Sequence, residues 1–305
     1  MDAIERDMLA KIADLHEVPQ GAYNFRINGQ GVARNTTEHI DIVTKTDKPG
    51  IDIIIKPGTK KESVHIPVVL SATGLDDMVY NDFYIGEDSD VVIVAGCGIH
   101  NAGDQKSQHD GIHTFHIGKG ARVKYVEKHY GEGDGSGERV LNPETLIYME
   151  EDSYMEMDTV QIKGVDSTVR KTRGTLGARA KLVIREKIMT HGEQYAKTDF
   201  EVDLNGEDSG ADVVSRSVAK GNSRQEYYSK INGNTRCTGH TECDAILMEN
   251  GKVAAAPMLT ANDLDASLIH EAAIGKIAGE QLVKLMTLGL TEEEAEAQII
   301  NGFLR

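Results

Sequence analysis

Five segments of the chain share one pattern, in which a tight turn of small and acidic residues is followed by alternating apolar and polar positions. Successive segments start 32, 32, 27 and 29 residues apart, at Ile85, Ile117, Met149, Leu176 and Asn205. A repeat of this length with one strand in each unit is typical of a β-solenoid, because each coil leaves an apolar face that only the next coil covers. The pattern therefore predicts stacked coils joined by turns of unequal length.

The other strand-like runs favour the same architecture. They are short, rich in β-branched residues and bounded by Gly, Asp, Asn or Pro, and they span residues 51–55, 64–70, 145–149 and 181–188. No helical pattern separates these runs, which disfavours a doubly wound α/β fold. An ordinary antiparallel β-sandwich is the alternative that the strands leave open.

Both ends of the chain have a helical pattern instead. Apolar residues at helical spacing in residues 3–14 predict a short N-terminal helix. An apolar stripe from Leu268 to Met286 predicts a second helix, and Thr291 with Glu294 forms the capping box of a third. We therefore expect an all-β solenoid with helical ends, divided into a short helical segment, a β-rich core and a C-terminal helical domain: residues 1–20, 21–262 and 263–305.

Composition narrows the class of protein. The 33 basic and 49 acidic residues give a net charge of −16, which argues against nucleic acid as the main partner, because phosphate binding needs a basic face. Three cysteines are too few for a disulfide framework and suit a reducing compartment. The chain has no signal-peptide pattern and no membrane-length apolar run, so we expect a cytoplasmic protein that does not engage a membrane. A P-loop motif is also missing, so we expect the chain to bind no nucleotide.

Histidines concentrate close to the first cysteine. Residues 97–129 hold five of the eleven histidines, and imidazole and thiolate are both ligands for iron or zinc. Cys97 lies between two glycines, which either leave its thiol approachable or allow a tight corner of the coil. Cys97 and His100 are therefore candidate metal ligands, and roles in packing or on the surface remain open.

A second group of candidate ligands is the Cys-x-x-His-x-x-Cys sequence at residues 237–243. On a strand, Cys237 and Cys243 face one side and His240 the other, so the three converge only if the strand bends. We take Cys237 and His240 as candidate metal ligands, with inward packing of the thiols as the alternative. His270 and Glu271, on the first turns of the predicted second helix, are candidate ligands for a ferrous ion, or members of a solvated helix face.

These C-terminal residues resemble the signature of the SufB/SufD family, the core subunits of the SUF iron–sulfur cluster assembly machinery. The similar stretches include Cys237-Thr-Gly-His-Thr-Glu-Cys-Asp-Ala-Ile, Ser267-Leu-Ile-His-Glu-Ala-Ala-Ile-Gly-Lys-Ile and Ile300-Asn-Gly-Phe. In the β-rich part, Gly111-Ile-His-Thr-Phe and Val123-Lys-Tyr-Val-Glu-Lys-His also resemble compact SufB-type members.

The resemblance implies a right-handed parallel β-helix whose C-terminal helical domain docks the ABC-type ATPase SufC. It implies a scaffold subunit, not an enzyme, on which a transient iron–sulfur cluster forms between two β-helix subunits, in a homodimer or in a heterodimer with a paralogue. Glu271 and His270 match family positions, and the glutamate is implicated in cluster assembly in the SufB branch. Residues 250–257, where the resemblance implies a cysteine, contain none, and Cys97 is our candidate substitute.

Two other functions remain open. The first is a SufD-like structural partner that regulates the ATPase and carries no cluster. The second is a polysaccharide-acting β-helix enzyme with paired carboxylates such as Glu87 and Asp88. The low aromatic content of 5% disfavours the enzyme, since sugar-binding grooves use aromatic rings for stacking.

Overall fold

The computed structural model describes residues 1–304, and about 58% of the chain lies in strands. These strands form a parallel β-solenoid of about 8 turns, with three short helices among the described residues, two of them near the C-terminus. The helices are α1 (Ala3–Ala13), α2 (Gly279–Met286) and α3 (Glu292–Phe303). The strands are β1 (Ala22–Ile27), β2 (Gln30–Asn35), β3 (Ile40–Thr44), β4 (Gly50–Ile55), β5 (Lys60–Leu70), β6 (Asp76–Ile85), β7 (Asp90–His100), β8 (Ser107–Ile117), β9 (Arg122–Glu132), β10 (Arg139–Leu141), β11 (Glu144–Met149), β12 (Tyr154–Lys163), β13 (Ser167–Leu176), β14 (Lys181–Thr190), β15 (Tyr195–Leu204), β16 (Gly210–Ala219), β17 (Arg224–Gly233), β18 (Cys237–Leu247), β19 (Lys252–Ala261) and β20 (Ala266–Gly275).

The strands alternate between two sheets that enclose the core. Sheet A has the order β2-β1-β5-β7-β9-β12-β14-β16-β18-β20, and sheet B has the order β19-β17-β15-β13-β10-β8-β6-β4-β3, with β11 between β8 and β13. Neighbouring strands pair in parallel along the body of each sheet. At the N-terminal end, the β1–β2 and β3–β4 pairs are antiparallel hairpins. The predicted solenoid is confirmed, and an antiparallel sandwich is excluded as the main architecture.

The predicted repeats are the coils of the solenoid. Ile85, Ile117, Met149 and Leu176 occupy one register position on successive coils of sheet B. The fifth coil begins one residue earlier than predicted, because Leu204 and not Asn205 pairs with Leu176. The other predicted runs lie in β4, β5, β11 and β14.

Buried and more exposed residues alternate along each strand, and the buried ones form the core between the two sheets. Inward residues are mostly aliphatic, and Phe83 stacks on Phe115 of the next coil with ring centroids 4.4 Å apart. The predicted N-terminal helix is α1, which packs across sheet A through Met8 and Ile12. Gly96 allows this contact, because a Cβ there would lie only 2.4 Å from the Ile12 carbonyl oxygen.

The predicted second helix is wrong over its first half. Ala266–Gly275 form β20, the last strand of sheet A, and the helix covers only Gly279–Met286. Leu268 and His270 are half-buried whereas Ile269 between them is exposed, which is the two-residue period of a strand. Pairing with the free edge of β18 satisfies the backbone groups of this segment, and it overrides the helical spacing of its apolar residues.

The third helix and its capping box are present as predicted. No helix within residues 1–304 has the length and apolar character needed to span a membrane.

Candidate functional site

His240, Glu242 and Glu271 meet on the outer face of sheet A at its C-terminal edge. His240 and Glu242 are two residues apart on β18 and therefore share one face, and Glu271 on β20 is the register partner of Glu242. One ligand atom from each side chain lies within 4.8 Å of the other two, which is close enough for a single ion. We call these three residues the outer cluster.

A carboxylate on the neighbouring strand orients the imidazole of the outer cluster. Asp212 on β16 accepts a hydrogen bond from His240 through Oδ1, 2.8 Å from Nδ1, which leaves the Nε2 lone pair available to a metal. Burial raises the pKa of Asp212, but the hydrogen bonds from Arg185 and His240 outweigh it and hold the pKa below its usual range. Asp212 therefore remains an ionised acceptor for the imidazole.

The two glutamates of the cluster differ in their surroundings. Glu242 is half-buried, and burial together with its neighbour Asp244 raises its pKa, since both disfavour the charged carboxylate. Glu271 is exposed on the edge strand. A bound cation would relieve the repulsion between these carboxylates. One imidazole nitrogen and two carboxylate oxygens suit Fe²⁺, Mn²⁺ or Zn²⁺, and three ligands leave coordination positions open.

The three thiols lie inside the solenoid and do not reach the outer cluster. Cys97, Cys237 and Cys243 are all buried, and Cys243 projects from the face of β18 opposite to Glu242. Burial raises the pKa of each thiol, that of Cys243 to about 12, so the thiols are protonated. The glycines beside Cys97 accommodate helix α1 and leave its thiol covered.

The predicted metal candidates do not converge on one site. Cys97 and Cys237 lie on β7 and β18, which are five strand spacings apart in sheet A, or about 24 Å. His100 lies at the end of β7, where its Nδ1 is 3.4 Å from Oε1 of Glu132. Of the predicted ligands, His240 and Glu271 belong to the outer cluster, whereas Cys97, His100 and Cys237 do not.

His270 lies on the opposite face of β20 from Glu271, because adjacent residues of a strand alternate. Its Nδ1 donates to the Thr241 carbonyl oxygen at 3.1 Å, which leaves Nε2 as an acceptor at the open end of the core. His270 therefore does not join the outer cluster, although it is adjacent to Glu271 in sequence.

Sequence reasoning missed Glu242. It lies two residues after His240 on the same strand face and 29 residues before Glu271, which is one coil. The two-residue alternation combined with the coil period is the signal that identifies it.

Sequence reasoning also missed a row of charges inside the solenoid. Arg170 on β13 crosses the core, where its Nη1 donates to Glu127 Oε2 at 2.5 Å and its Nε lies 3.6 Å from Glu186 Oε1. All three side chains are nearly inaccessible to solvent. Glu186 also accepts hydrogen bonds from Thr198 and Ser215.

The last coil leaves the C-terminal end of the solenoid open. β19 and β20 are the edge strands of the two sheets at this end. Their inward residues pack on the core but are only half-buried, namely Ala255, Leu259, Ala266 and Leu268. Large apolar side chains are exposed nearby, including Met258 and Ile269. We call this surface the open end.

Comparisons with known proteins agree on one family. Residues 78–303 match the family model described as SUF system FeS cluster assembly, SufBD core domain. An iron–sulfur cluster assembly SufBD family protein of Methanocaldococcus jannaschii is 28% identical over 255 residues, which are 83% of this chain and 79% of the relative. A family protein of Pyrococcus horikoshii is 26% identical over 96% of this chain and 84% of the relative. A third, from Methanothermobacter thermautotrophicus, is 30% identical over 72% of this chain, and the match spans about half of that relative, 53%.

Proposed function

We propose a function from the premise that this chain belongs to the SufBD family of SUF-system iron–sulfur cluster assembly proteins. Its role lies in iron–sulfur cluster assembly. We propose more specifically that it is a scaffold subunit, and not an enzyme, which binds iron as the substrate of assembly. The observation that carries this proposal is the outer cluster of His240, Glu242 and Glu271.

The ligands of the outer cluster suit an ion that is held transiently. Two carboxylates and one imidazole bind Fe²⁺ without a thiolate, and the open coordination positions accept sulfide or a ligand from a partner. The site lies on the outer face of the last two strands of sheet A, where Glu271 is exposed and His240 and Glu242 are half-buried, so an ion can enter it from solvent.

Anaerobic titration with Fe²⁺ tests the site directly. We expect the wild-type chain to bind one ion, and Glu271→Gln to weaken binding by about tenfold or more, because a carboxylate ligand is replaced by a poorer neutral donor. Glu138→Gln is the matched control, since Glu138 is an exposed glutamate outside the cluster. Equal Fe²⁺ affinity of the wild-type and Glu271→Gln proteins would contradict the proposed site.

A second test concerns Asp212, which orients the imidazole of His240 but is not itself a proposed ligand of the ion. Asp212→Asn keeps the size of the side chain but weakens the hydrogen bond to His240, so we expect Fe²⁺ affinity to fall about 10- to 100-fold. The pH dependence of binding should also change, because the acceptor that fixes the tautomer of His240 is altered. Unchanged affinity and pH dependence would show that Asp212 does not position the ligand.

We also propose that a second family solenoid, identical or paralogous, pairs with the open end. Unpaired edge strands and exposed apolar side chains support this, since such edges normally associate with another chain or are covered. Sedimentation analysis of the chain alone and co-expressed with a paralogue should detect a dimer. Met258→Lys should dissociate it, whereas the control Met78→Lys, an exposed methionine on β6, should not. A monomer under both conditions would refute the pairing.

A SufC-type ABC ATPase is the second proposed partner, with the C-terminal helices as its docking site. Val283, Met286 and Leu288 are exposed on and just after helix α2, which supports an apolar contact there. We expect Val283→Asp combined with Met286→Asp to abolish co-purification with the ATPase while Fe²⁺ binding is retained. Retained co-purification would contradict this docking site.

One observation favours the alternative of a SufD-like partner that carries no cluster. No thiol among residues 1–304 reaches the outer cluster, although thiolates are the usual ligands of iron–sulfur clusters. If the assembled complex retains full cluster yield with Glu271→Ala and His270→Ala, the chain is a structural partner that regulates the ATPase.

A further inference from the structure

A cavity of about 330 Å³ lies at the N-terminal end of the solenoid, between the β1–β2 and β3–β4 hairpins. The charged side chains that line it are all cationic, in a chain whose net charge is −16: Arg26, Arg34, Lys45 and Lys48. Most of the lining precedes residue 78, where the family match begins. β5, which helps to form the cavity, is six strand spacings from β18, or about 29 Å. The cavity is therefore separate from the outer cluster.

Two of the four cations have no carboxylate partner among the described residues. The guanidinium of Arg34 is fixed by neutral acceptors, namely the side-chain oxygens of Asn24 and Thr44 and the carbonyl oxygen of Ile42. Its Nη2 donates to none of residues 1–304. The ammonium of Lys48 lies 4.5 Å from the ring centroid of Tyr80 and forms no ion pair within the described chain. Arg34 therefore presents a positive charge without a carboxylate partner in the described part of the chain, and the charge of Lys48 is offset only in part, by Asp82, with which it forms no ion pair.

The other two cations form ion pairs that hold the walls in place. Arg26 donates through Nε and Nη2 to Asp77, and Lys45 pairs with Asp52 and Asp82. The four cations therefore face three carboxylates, which leaves one positive charge in excess in this region. Arginine presents a planar fork of donors that matches the oxygens of carboxylate and phosphate groups.

Asn81 gives an independent indication of a ligand. It is 4% exposed, lines the cavity, and has a side-chain oxygen without a hydrogen-bond partner. Its Nδ2 lies 3.3 Å from Nε2 of His113, whose Nδ1 lies 2.8 Å from the hydroxyl of Tyr125. Because that hydroxyl donates to Glu127, His113 donates through Nδ1 and accepts from Asn81 through Nε2. The amide oxygen is thus left free, and a buried acceptor of this kind requires a donor.

The remaining wall of the cavity is apolar. It consists of buried aliphatic side chains: Ile51, Ile66, Val68 and Val79. From these features we propose that the cavity binds a small organic anion. Its carboxylate or phosphate group pairs with Arg34 and Lys48, a hydrogen-bond donor contacts Asn81, and its carbon skeleton lies against the aliphatic wall. This site is independent of the proposed iron site.

Calorimetric titration of the full chain at low ionic strength tests the proposal with three probes: inorganic phosphate, 4-hydroxyphenyl phosphate and 4-hydroxybenzoate. We expect one saturable site per chain for 4-hydroxyphenyl phosphate or 4-hydroxybenzoate, and the tighter of the two identifies the head group, because both carry the same phenol donor. Arg34→Gln combined with Lys48→Gln should weaken binding about tenfold or more, because charge-assisted hydrogen bonds are lost. Both residues are exposed and form no ion pair in the described chain, so the double variant should fold.

The matched control is Lys60→Gln combined with Arg122→Gln, which removes the same charge from exposed positions outside the cavity. Arg122 lies over the ring of Tyr154 much as Lys48 lies over that of Tyr80. Retained affinity in the control supports the site, and an equal loss in the control overturns it. The proposal is also overturned if none of the probes saturates, if inorganic phosphate binds as tightly as the organic probes, or if the Arg34/Lys48 variant binds like wild type.

Discussion

Arg170 is the single cation that we expect to matter most for the stability of the solenoid. It is 4% exposed and lies between the buried carboxylates of Glu127 and Glu186. Arg170→Met retains most of the aliphatic volume but removes the charge. Glu127 then remains buried without its principal partner, and Glu186 loses its only described cation.

The expected loss of folding stability in Arg170→Met follows from the cost of burying a charge without a partner. Removing one partner of a buried ion pair typically destabilises a protein by about 3–5 kcal/mol. For a chain of 305 residues, the entropy of unfolding is about 0.6 kcal/mol per kelvin, so this loss lowers the thermal midpoint by about 5–8 °C. Arg179→Met is the control, since Arg179 is exposed and its ion pairs with Glu151 and Asp152 lie in solvent.

The stability that Arg170→Met loses relative to the wild type should depend on pH. In the wild type, burial raises the pKa of Glu127, but the charge of Arg170 and the nearby histidines outweighs it, so the pKa lies well below its usual value. Such a group stabilises the protein above its unfolded pKa, and this contribution is lost as the pH falls. Without Arg170, burial dominates and the folded pKa rises, so the variant gains relative stability as the pH falls. The difference between the two proteins is therefore largest near neutral pH and shrinks toward acid.

Thermal and urea unfolding at pH 7.5 and pH 5.0, followed by circular dichroism, measure both effects. We expect Arg170→Met to unfold at a clearly lower midpoint than Arg179→Met at pH 7.5, with a smaller deficit at pH 5.0. Equal midpoints for the two variants would refute the buried-charge argument. A deficit that does not change with pH would refute its electrostatic origin.

The remaining predictions concern the thiols and the two terminal helices. All three cysteines should react with a bulky disulfide reagent only after unfolding in urea, and rapid reaction of the folded protein would contradict their burial. Gly96→Ala should displace helix α1 and speed limited proteolysis near the N-terminus, because the added Cβ meets the Ile12 carbonyl oxygen. The control Gly31→Ala should leave the rate of proteolysis unchanged, because no atom lies within 4 Å of the added Cβ. Thr291→Ala removes the acceptor of the capping box and should destabilise helix α3 by about 1 kcal/mol, measured by hydrogen exchange of its amides.

The coils were predictable because a solenoid is nearly one-dimensional. Each strand pairs with the equivalent strand of the next coil, so the repeat in the sequence becomes the register in the sheet. Ile85, Ile117 and Met149 illustrate this, since the 32-residue spacing of their segments is the spacing of their backbone partners. The N-terminal helix was also predictable, because its apolar stripe and its contact surface coincide.

The interior charges were not predictable from the sequence pattern. Glu127 and Glu186 occupy the inward positions of their strands, in phase with Tyr125 and Ile184, but a charged residue normally indicates the solvent face and so breaks the pattern. Only the folded chain shows that both side chains point inward, where Arg170 forms an ion pair with each of them. The cavity between the N-terminal hairpins is likewise a product of packing, since its lining comes from six strands and the connection between β3 and β4.

The outer cluster was not predictable as a unit because the apolar spacing of residues 268–275 indicates a helix, in which Glu271 is not placed beside Glu242. Had the coil period been extended by 29 residues from Glu242, it would have placed Glu271 beside that carboxylate and turned His270 inward, as the structure does. The same placement connects the site to the open end. Glu271 lies on the edge strand β20, and a strand added to this edge would lie about 4.8 Å away, with side chains on the same face within reach of the outer cluster. An incomplete set of three ligands at an unpaired edge is therefore what we expect of a site that a second subunit completes.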